Sequence, residues 1–212
     1  MSEFGLVSAR DLHSWRVFQL VEATFAAASG EEFTRTFLRH PGAVGIVAVD
    51  GDEAILVRQF RAALGRDLLE IPAGTLDKGA DETPAACAAR ELAEETGATA
   101  GSIIHLTTYA VAPGISDEVL HLYLATDLRF GDRRADGIEE EAMTVERLPL
   151  ASVPAAIADG HLEDAKTMLG LLLARSHLSS SLPSSPSLPS ASGPGLTRPG
   201  LTRPGLTRPD PA

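Results

Sequence analysis

Between residues 84 and 96 the chain specifies both ends of a helix and loads one side of it with acid. Thr83 is a good N-cap, Pro84 suits the first helical position, and Gly97 suits the left-handed residue that stops a helix. On that helix Glu91, Glu94 and Glu95 stand at i, i+3 and i+4, so their carboxylates share a face. Arg90 precedes Glu94 by four residues and can pair with it. Each like-charge pair costs roughly 0.2–0.5 kcal/mol on an isolated helix, and the helix C-terminus disfavours negative charge further. A solvated acidic face is the ordinary use of such a pattern. Here it follows a Gly-containing loop and a capped helix start, which together make a cluster of hard oxygen donors. Carboxylates without His or Cys suit Mg²⁺ or Mn²⁺, ions commonly shared with substrate phosphates.

The rest of the chain reads as one mixed α/β domain with a tail. Residues 15–25 and 43–50 are β-rich runs, and Asp50-Gly51 makes a turn into a strand at 54–61, predicting a hairpin. A second strand pair is expected at 103–110 and 118–126, and a further strand at 143–148. Helices are expected at 152–159, capped by Ser152 and stopped by Gly160, and at about 163–177. The latter has Ala165, Met168, Leu169, Leu172 and Leu173 at helical spacing, a core or interface stripe. From residue 179 to 212 there are eight Ser, eight Pro and four Gly, ending in three Gly-Leu-Thr-Arg-Pro repeats. Such a segment buries too little apolar surface to offset its conformational entropy, so disorder is expected.

Charge and cysteine usage exclude several classes of function. The net charge of −11 argues against non-specific nucleic-acid binding, which needs Lys and Arg on phosphates. No apolar run is long enough to span a membrane, and no secretory signal is read at the N-terminus, so a cytoplasmic protein without a membrane partner is expected. The single cysteine, Cys87, excludes an intramolecular disulfide and a Cys-based zinc site. Inside the acidic helix it reads as a small buried residue rather than a nucleophile. The six histidines have no ligand spacing.

Residues 74–98 resemble the signature of the Nudix hydrolases, a Gly, a Glu, then Arg-Glu-aliphatic-x-Glu-Glu-x-Gly, which builds a loop–helix–loop metal site. Arg90, Glu91, Leu92, Glu94, Glu95, Gly97 and Ala98 match, and Glu82 stands eight residues before Arg90. Gly74 and Glu82 are separated by seven residues where the signature has five, an insertion for the preceding loop to absorb. The resemblance implies an α/β/α sandwich with a mixed sheet. It divides the chain into an N-terminal β-subdomain over 1–42, exchanged in dimeric relatives, a hydrolase domain over 43–178 and the tail at 179–212. It implies that Glu91 and Glu95 are the main metal ligands, that Glu94 shares or bridges ions, and that the Ala73 carbonyl is a main-chain ligand. Arg90 would orient the cluster through its fixed fork of donors.

The flanks resemble the ADP-ribose pyrophosphatases within that family. Leu69-Glu70-Ile71-Pro72-Ala73-Gly74 matches their lead-in, and Gln59-Phe60-Arg61 matches their Gln-aromatic-Arg motif. Pro113 falls 16 residues after Gly97 and opens the loop Pro113-Gly114-Ile115-Ser116-Asp117-Glu118. The implied reaction is metal-dependent hydrolysis of ADP-ribose to AMP and ribose 5-phosphate, with Arg61 on phosphate and Gln59, Glu70, Pro113 and Ser116 in the substrate site. Trp15 and Phe18 are candidates for stacking on adenine. The general base is expected among Glu139, Glu140 and Glu141, with Glu140 favoured by alignment through Met143-Thr144. A homodimer is expected. The alternatives are a pyrophosphatase for another nucleotide sugar or a dinucleotide cofactor, a module that binds ADP-ribose without cleaving it, or an interaction protein acting through its tail.

Overall fold

The structure is a computed structural model that describes residues 3–79, 81–133 and 137–181, without the side chains of Glu139, Glu140 and Ser181. The first three strands, β1 (Phe4–Ser14), β2 (Gln19–Ala27) and β3 (Glu32–Arg39), form an antiparallel sheet in the order β1-β2-β3. A second sheet holds β4 (Ala43–Asp50), β5 (Glu53–Arg61), β8 (Ala98–Ala110), β9 (Val119–Phe130) and β10 (Thr144–Pro149) in the order β10-β5-β4-β9-β8. Two short strands join its centre: β6 (Arg66–Glu70) pairs with β5, and β7 (Ala73–Thr75) pairs with β4. The β4–β9 pair is parallel and the others are antiparallel, so the sheet is mixed.

Helix α1 (Pro84–Thr96) lies on one face of this sheet and α4 (Ala165–Ser181) packs on β4 and β9, with α3 (Val153–Ala158) beside it. Strand β4 explains the arrangement. Its residues alternate between two cores: Val44, Ile46 and Ala48 pack with Cys87, Ala88 and Leu92 of α1. Ala43, Val47 and Val49 pack with Leu171 and Ala174 of α4. A strand covered on both faces reads as a continuous apolar run, which is what residues 43–49 are. The expected hairpin forms at Asp50-Gly51, with Asp50 opposite Glu53.

Helix α1 has the predicted bounds. The Thr83 side chain accepts a hydrogen bond from the Ala86 N–H, a cap worth about 1 kcal/mol. Gly97 has φ 70° and donates its N–H to the Ala93 carbonyl. Several other element bounds differ from those expected. Residues 15–18 are the turn between β1 and β2, closed by the Trp15 N–H to the Phe18 carbonyl at 2.9 Å, rather than the start of a strand. Strands β8 and β9 extend beyond the predicted pair at both outer ends. Ser152 makes no side-chain cap; it ends a 3₁₀ turn (Leu150–Ser152) that leads into α3.

Helix α4 begins two residues later than expected and runs through Ser181, three residues into the segment expected to be disordered; residues 182–212 lie outside the described residues. Its buried stripe is Thr167, Gly170, Leu171 and Ala174, while Leu169 and Leu172 are exposed. Apolar residues surround this helix, so close approach rather than hydrophobicity selects the buried side. Gly170 makes that approach: a Cβ there would lie 2.8 Å from Val47 Cγ2 and 3.3 Å from the Ile71 and Leu122 Cδ1 atoms.

Because Val47 is β-branched and stiff, Gly170→Ala should destabilise the protein despite the better helix propensity of Ala. The expected net loss is about 1–2 kcal/mol, an overpacking cost reduced by about 1 kcal/mol of propensity. Urea unfolding should show a lower midpoint with an unchanged slope; an unchanged or higher midpoint would contradict the packing described.

Candidate active site

The loop before α1 and the last turns of α1 close on each other. The Pro72 carbonyl accepts from the Ile46 N–H at 2.8 Å, and the Gly74↔Val44 register lays β7 along β4. The Ala73 N–H then donates to Glu95 Oε2 at 3.0 Å. Glu91 lies directly against Gly74, where an added Cβ would sit 1.9 Å from the Glu91 carboxyl carbon. Only glycine admits that carboxylate, which gives the signature Gly a physical reason. Glu91 and Glu95 are 8% and 5% exposed, unusual for carboxylates unless paired or ligating.

Arg90 organises the cluster. Its Nε and Nη2 form a fork with the two Glu82 oxygens at 2.8 and 3.1 Å, and its Nη1 donates to Glu91 Oε1 at 2.7 Å and Glu94 Oε2 at 2.9 Å. One guanidinium therefore serves three carboxylates, with Glu95 alongside. Although seven residues separate Gly74 from Glu82, Glu82 is still bonded to Arg90. The Arg90 bond holds the Glu82 carboxyl below its ordinary range, and the bond to Glu82 in turn raises Arg90, with Glu91 and Glu94 adding. Cys87, beneath this network, is pushed up to about 12, first by burial and then by Glu82 and Glu91 against the opposing pull of Arg90.

The second group of expected residues gathers around Glu70. The Arg61 Nε and Nη2 form a fork with both Glu70 oxygens at 2.6 Å, and Lys166 of α4 pairs with the same carboxylate. Glu70 is 1% exposed; burial pushes its carboxyl up, but Arg61 and Lys166 outweigh that and hold it below its ordinary value. Arg61 is raised mainly by the Glu70 bond, against burial, with Asp164 and Glu95 adding. Gln59 Nε2 is buried without a hydrogen-bond partner among the described residues.

The third group is aromatic. Trp15 (48% exposed) and Phe18 (38% exposed) lie outside both cores, with ring centroids 5.4 Å apart, and Phe18 stacks on His40. Two contacts bring this turn to the site. Arg16 reaches Asp77 of the loop before α1 at 3.6 Å, and the His40 N–H donates to Asp117 Oδ1 at 2.7 Å. Asp117 thereby ties down the Pro113 loop, in which Ser116 Oγ accepts from the Glu118 N–H. Helix α2 (Ile138–Ala142) carries residues 139–141 and lies against β5; the Glu139 and Glu140 side chains lie outside the described residues, and Glu141 is exposed.

Sequence reasoning did not find Arg16, Asp77, the contact of Asp117 with His40, or Asp164, Lys166 and Thr167 at the start of α4. Their contacts join elements far apart in the chain, and only the Asp-x-x-Thr spacing at the start of α4 carried a local signal, that of a helix cap. A cavity of about 570 Å³ between β6, β10 and α3 does not touch the carboxylate cluster, and its three arginines are matched, Arg58 to Glu146, Arg66 to Glu163 and Arg147 to Asp50 and Glu53.

Among the described residues no group of three or more His, Cys, Asp or Glu side chains is disposed to hold a metal ion by itself. The donor set nevertheless fits a divalent ion that keeps its waters and shares substrate phosphates: hard carboxylates on one helix face, beside a main-chain loop held against them. No helix among the described residues is long and apolar enough to cross a membrane.

Residues 39–169 match the family model described as the NUDIX domain. The chain is 35% identical over 162 residues to an ADP-ribose pyrophosphatase of Bacillus subtilis, covering 76% of this chain and 86% of the relative. It is 38% identical over 171 residues to an ADP-ribose pyrophosphatase of Mycobacterium tuberculosis, covering 80% and 82%. It is also 34% identical over 166 residues to a methanol dehydrogenase activator of Bacillus methanolicus, covering 78% and 89%. The crystal structure of an ADP compounds hydrolase shares the fold, with a TM-score of 0.73, 23% identity, and coverage of 86% of this chain and 97% of that one.

The state of Cys87 gives a direct check on this packing. A buried thiol raised to about 12 is not a thiolate at pH 8, so a disulfide reagent should titrate no thiol in the native protein and one in denaturant. Rapid native labelling would show that the space beneath Arg90 is open.

Proposed function

The chain belongs to the Nudix hydrolase family, and on that footing we propose that it hydrolyses the pyrophosphate of ADP-ribose, releasing AMP and ribose 5-phosphate. The observation that carries this reading is the Arg90-ordered group of Glu82, Glu91 and Glu94, with Glu91 against Gly74 and Glu95 on the Ala73 N–H. Two relatives named as ADP-ribose pyrophosphatases, matched over most of their length, support the substrate.

Glu91 and Glu95, with Glu94 and the Ala73 carbonyl, would hold Mg²⁺ or Mn²⁺. When bound, such an ion neutralises pyrophosphate charge and lowers the pKa of water. The chain's own residues do the rest. Glu70 occupies the Nε and Nη2 edge of Arg61, which leaves the Nη1 hydrogens for a phosphate oxygen and fixes the direction from which the guanidinium offers them. Trp15 and Phe18 stack on adenine, and the Pro113 loop with Ser116 and Gln59 completes the pocket. Glu140 takes the proton of the attacking water as its oxygen bonds to phosphorus and the bond to the bridging oxygen breaks, with Glu139 beside it.

The working unit is a homodimer in the reducing cytoplasm. The whole of β1 is exposed, with Phe4, Leu6, Val7 and Leu12 among its residues. A long apolar edge strand of that kind is normally covered by a partner.

The test is a substrate panel of ADP-ribose, nucleotide hexoses, NADH and dinucleoside polyphosphates with Mg²⁺ or Mn²⁺, scored by product. ADP-ribose should have the highest kcat/KM and give AMP with ribose 5-phosphate. Glu91→Gln, Glu95→Gln and Glu140→Gln should each lower kcat by about 10²-fold or more while the protein stays folded, Glu140→Gln without loss of ADP-ribose affinity. Preference for a nucleoside triphosphate would overturn the substrate, and normal turnover in both helix variants would overturn the site.

A further inference from the structure

The lead-in to the site is held from the far face of the sheet by the first turn of α4. Thr167, fully buried, accepts the Ile71 N–H on its hydroxyl at 2.8 Å and donates that hydroxyl to Asp164 Oδ2 at 2.6 Å. Asp164 Oδ2 also accepts the Thr167 N–H at 2.9 Å and pairs with Lys166 Nζ at 3.0 Å, while Lys166 reaches Glu70, one residue before Ile71. The bond to Asp164 turns the Thr167 lone pair toward Ile71. Pro72 then has a fixed φ and its carbonyl on Ile46, and the next residue is Ala73, bonded to Glu95. Three successive main-chain residues are thus anchored at one polar group each, and only the Ile71 anchor comes from outside the sheet and α1.

We propose that Thr167, oriented by Asp164, is a positioning residue for the reaction: it fixes the 71–73 main chain so that the Ala73 carbonyl and the Glu95 carboxylate keep their places in the cation site. This rests on the Proposed function for the reaction, but not for the anchoring itself. An aliphatic side chain would fill the same space and leave the Ile71 N–H buried without its acceptor, letting the lead-in shift. Displacements of about 1 Å at a reacting centre are enough for large losses in rate. The hydroxyl is what matters, so serine should serve.

The experiment uses the full chain as wild type, Thr167→Val, Thr167→Ser and Asp164→Asn, each checked for folding by circular dichroism. It measures amide exchange at Ile71 and Ala73 in metal-free protein, Mn²⁺ affinity by electron paramagnetic resonance, and kcat and KM for ADP-ribose. Thr167→Val should speed exchange at Ile71 and Ala73 by about tenfold or more and weaken Mn²⁺ binding by about fivefold. It should lower kcat by about tenfold or more with KM within about threefold. Thr167→Ser should restore all three. Asp164→Asn keeps an N-cap acceptor, should shift the same quantities less, and decides the question if the valine variant does not fold. Wild-type exchange, Mn²⁺ affinity and kcat in Thr167→Val, or no rescue by serine, would overturn the proposal. If wild type leaves ADP-ribose intact, the substrate reading fails while the exchange and Mn²⁺ measurements still judge the anchor.

Discussion

A single guanidinium, that of Arg90, is bonded at once to Glu82, Glu91 and Glu94, and the site depends on it. Carboxylates on one helix face repel, and burying them removes the water that would otherwise stabilise their charge. The pairs are part-buried, so water screens them incompletely, and the multiple, geometrically good pairing is what offsets the repulsion. Arginine rather than lysine suits the position, because its planar fork can grip Glu82 along one edge and still direct Nη1 at two other carboxylates. A helix end that is unfavourable for folding thereby becomes a stable platform of hard oxygens.

The sheet supplies the other half of the constraint. Strand β4 is covered on both faces, so it is fixed from two directions, and β7 is fixed to it by the Gly74↔Val44 register. Gly74 lets Glu91 come within a distance that no side chain would allow, while Ala73 bonds to Glu95 one residue earlier. The same short segment continues backward into Glu70, whose carboxylate fixes the edge of Arg61. The contacts to Arg61, to Glu95 and to Glu91 are therefore carried on five consecutive residues of main chain, Glu70 to Gly74. A buried carboxylate, a part-buried lysine and a buried threonine hold that segment: Glu70, Lys166 and Thr167.

What was legible in the sequence follows from whether the signal was local. Helix α1 could be bounded to the residue because Thr83, Pro84 and Gly97 act within one turn, and the grouping of Glu91, Glu94 and Glu95 follows from helical spacing alone. Strand β4 announced itself by its apolar run. Strand β1 did not, since every one of its residues is exposed and none alternates with burial. The stripe on α4 gives its buried side only in part: Met168 and Leu173 pack on the core and Leu169 and Leu172 do not, because leucines occur around the helix and the closest approach is made by Gly170. Arg61 was read as a phosphate ligand from its motif, but its bond to Glu70 needed the β5–β6 register, and the partnership of Lys166 and Thr167 with residues 70 and 71 needed the packed helix.

We propose that Glu91, Glu95 and the Ala73 carbonyl together form the cation site beside Arg90. Crystals soaked in Mn²⁺ with a non-hydrolysable ADP-ribose analogue would test it by anomalous diffraction. Mn²⁺ peaks are expected within ligand distance, about 2.0–2.3 Å, of Glu91 and Glu95 oxygens, with the analogue's pyrophosphate completing the coordination. Manganese bound elsewhere, with Glu91 and Glu95 contacting only protein while the pyrophosphate is in place, would contradict it.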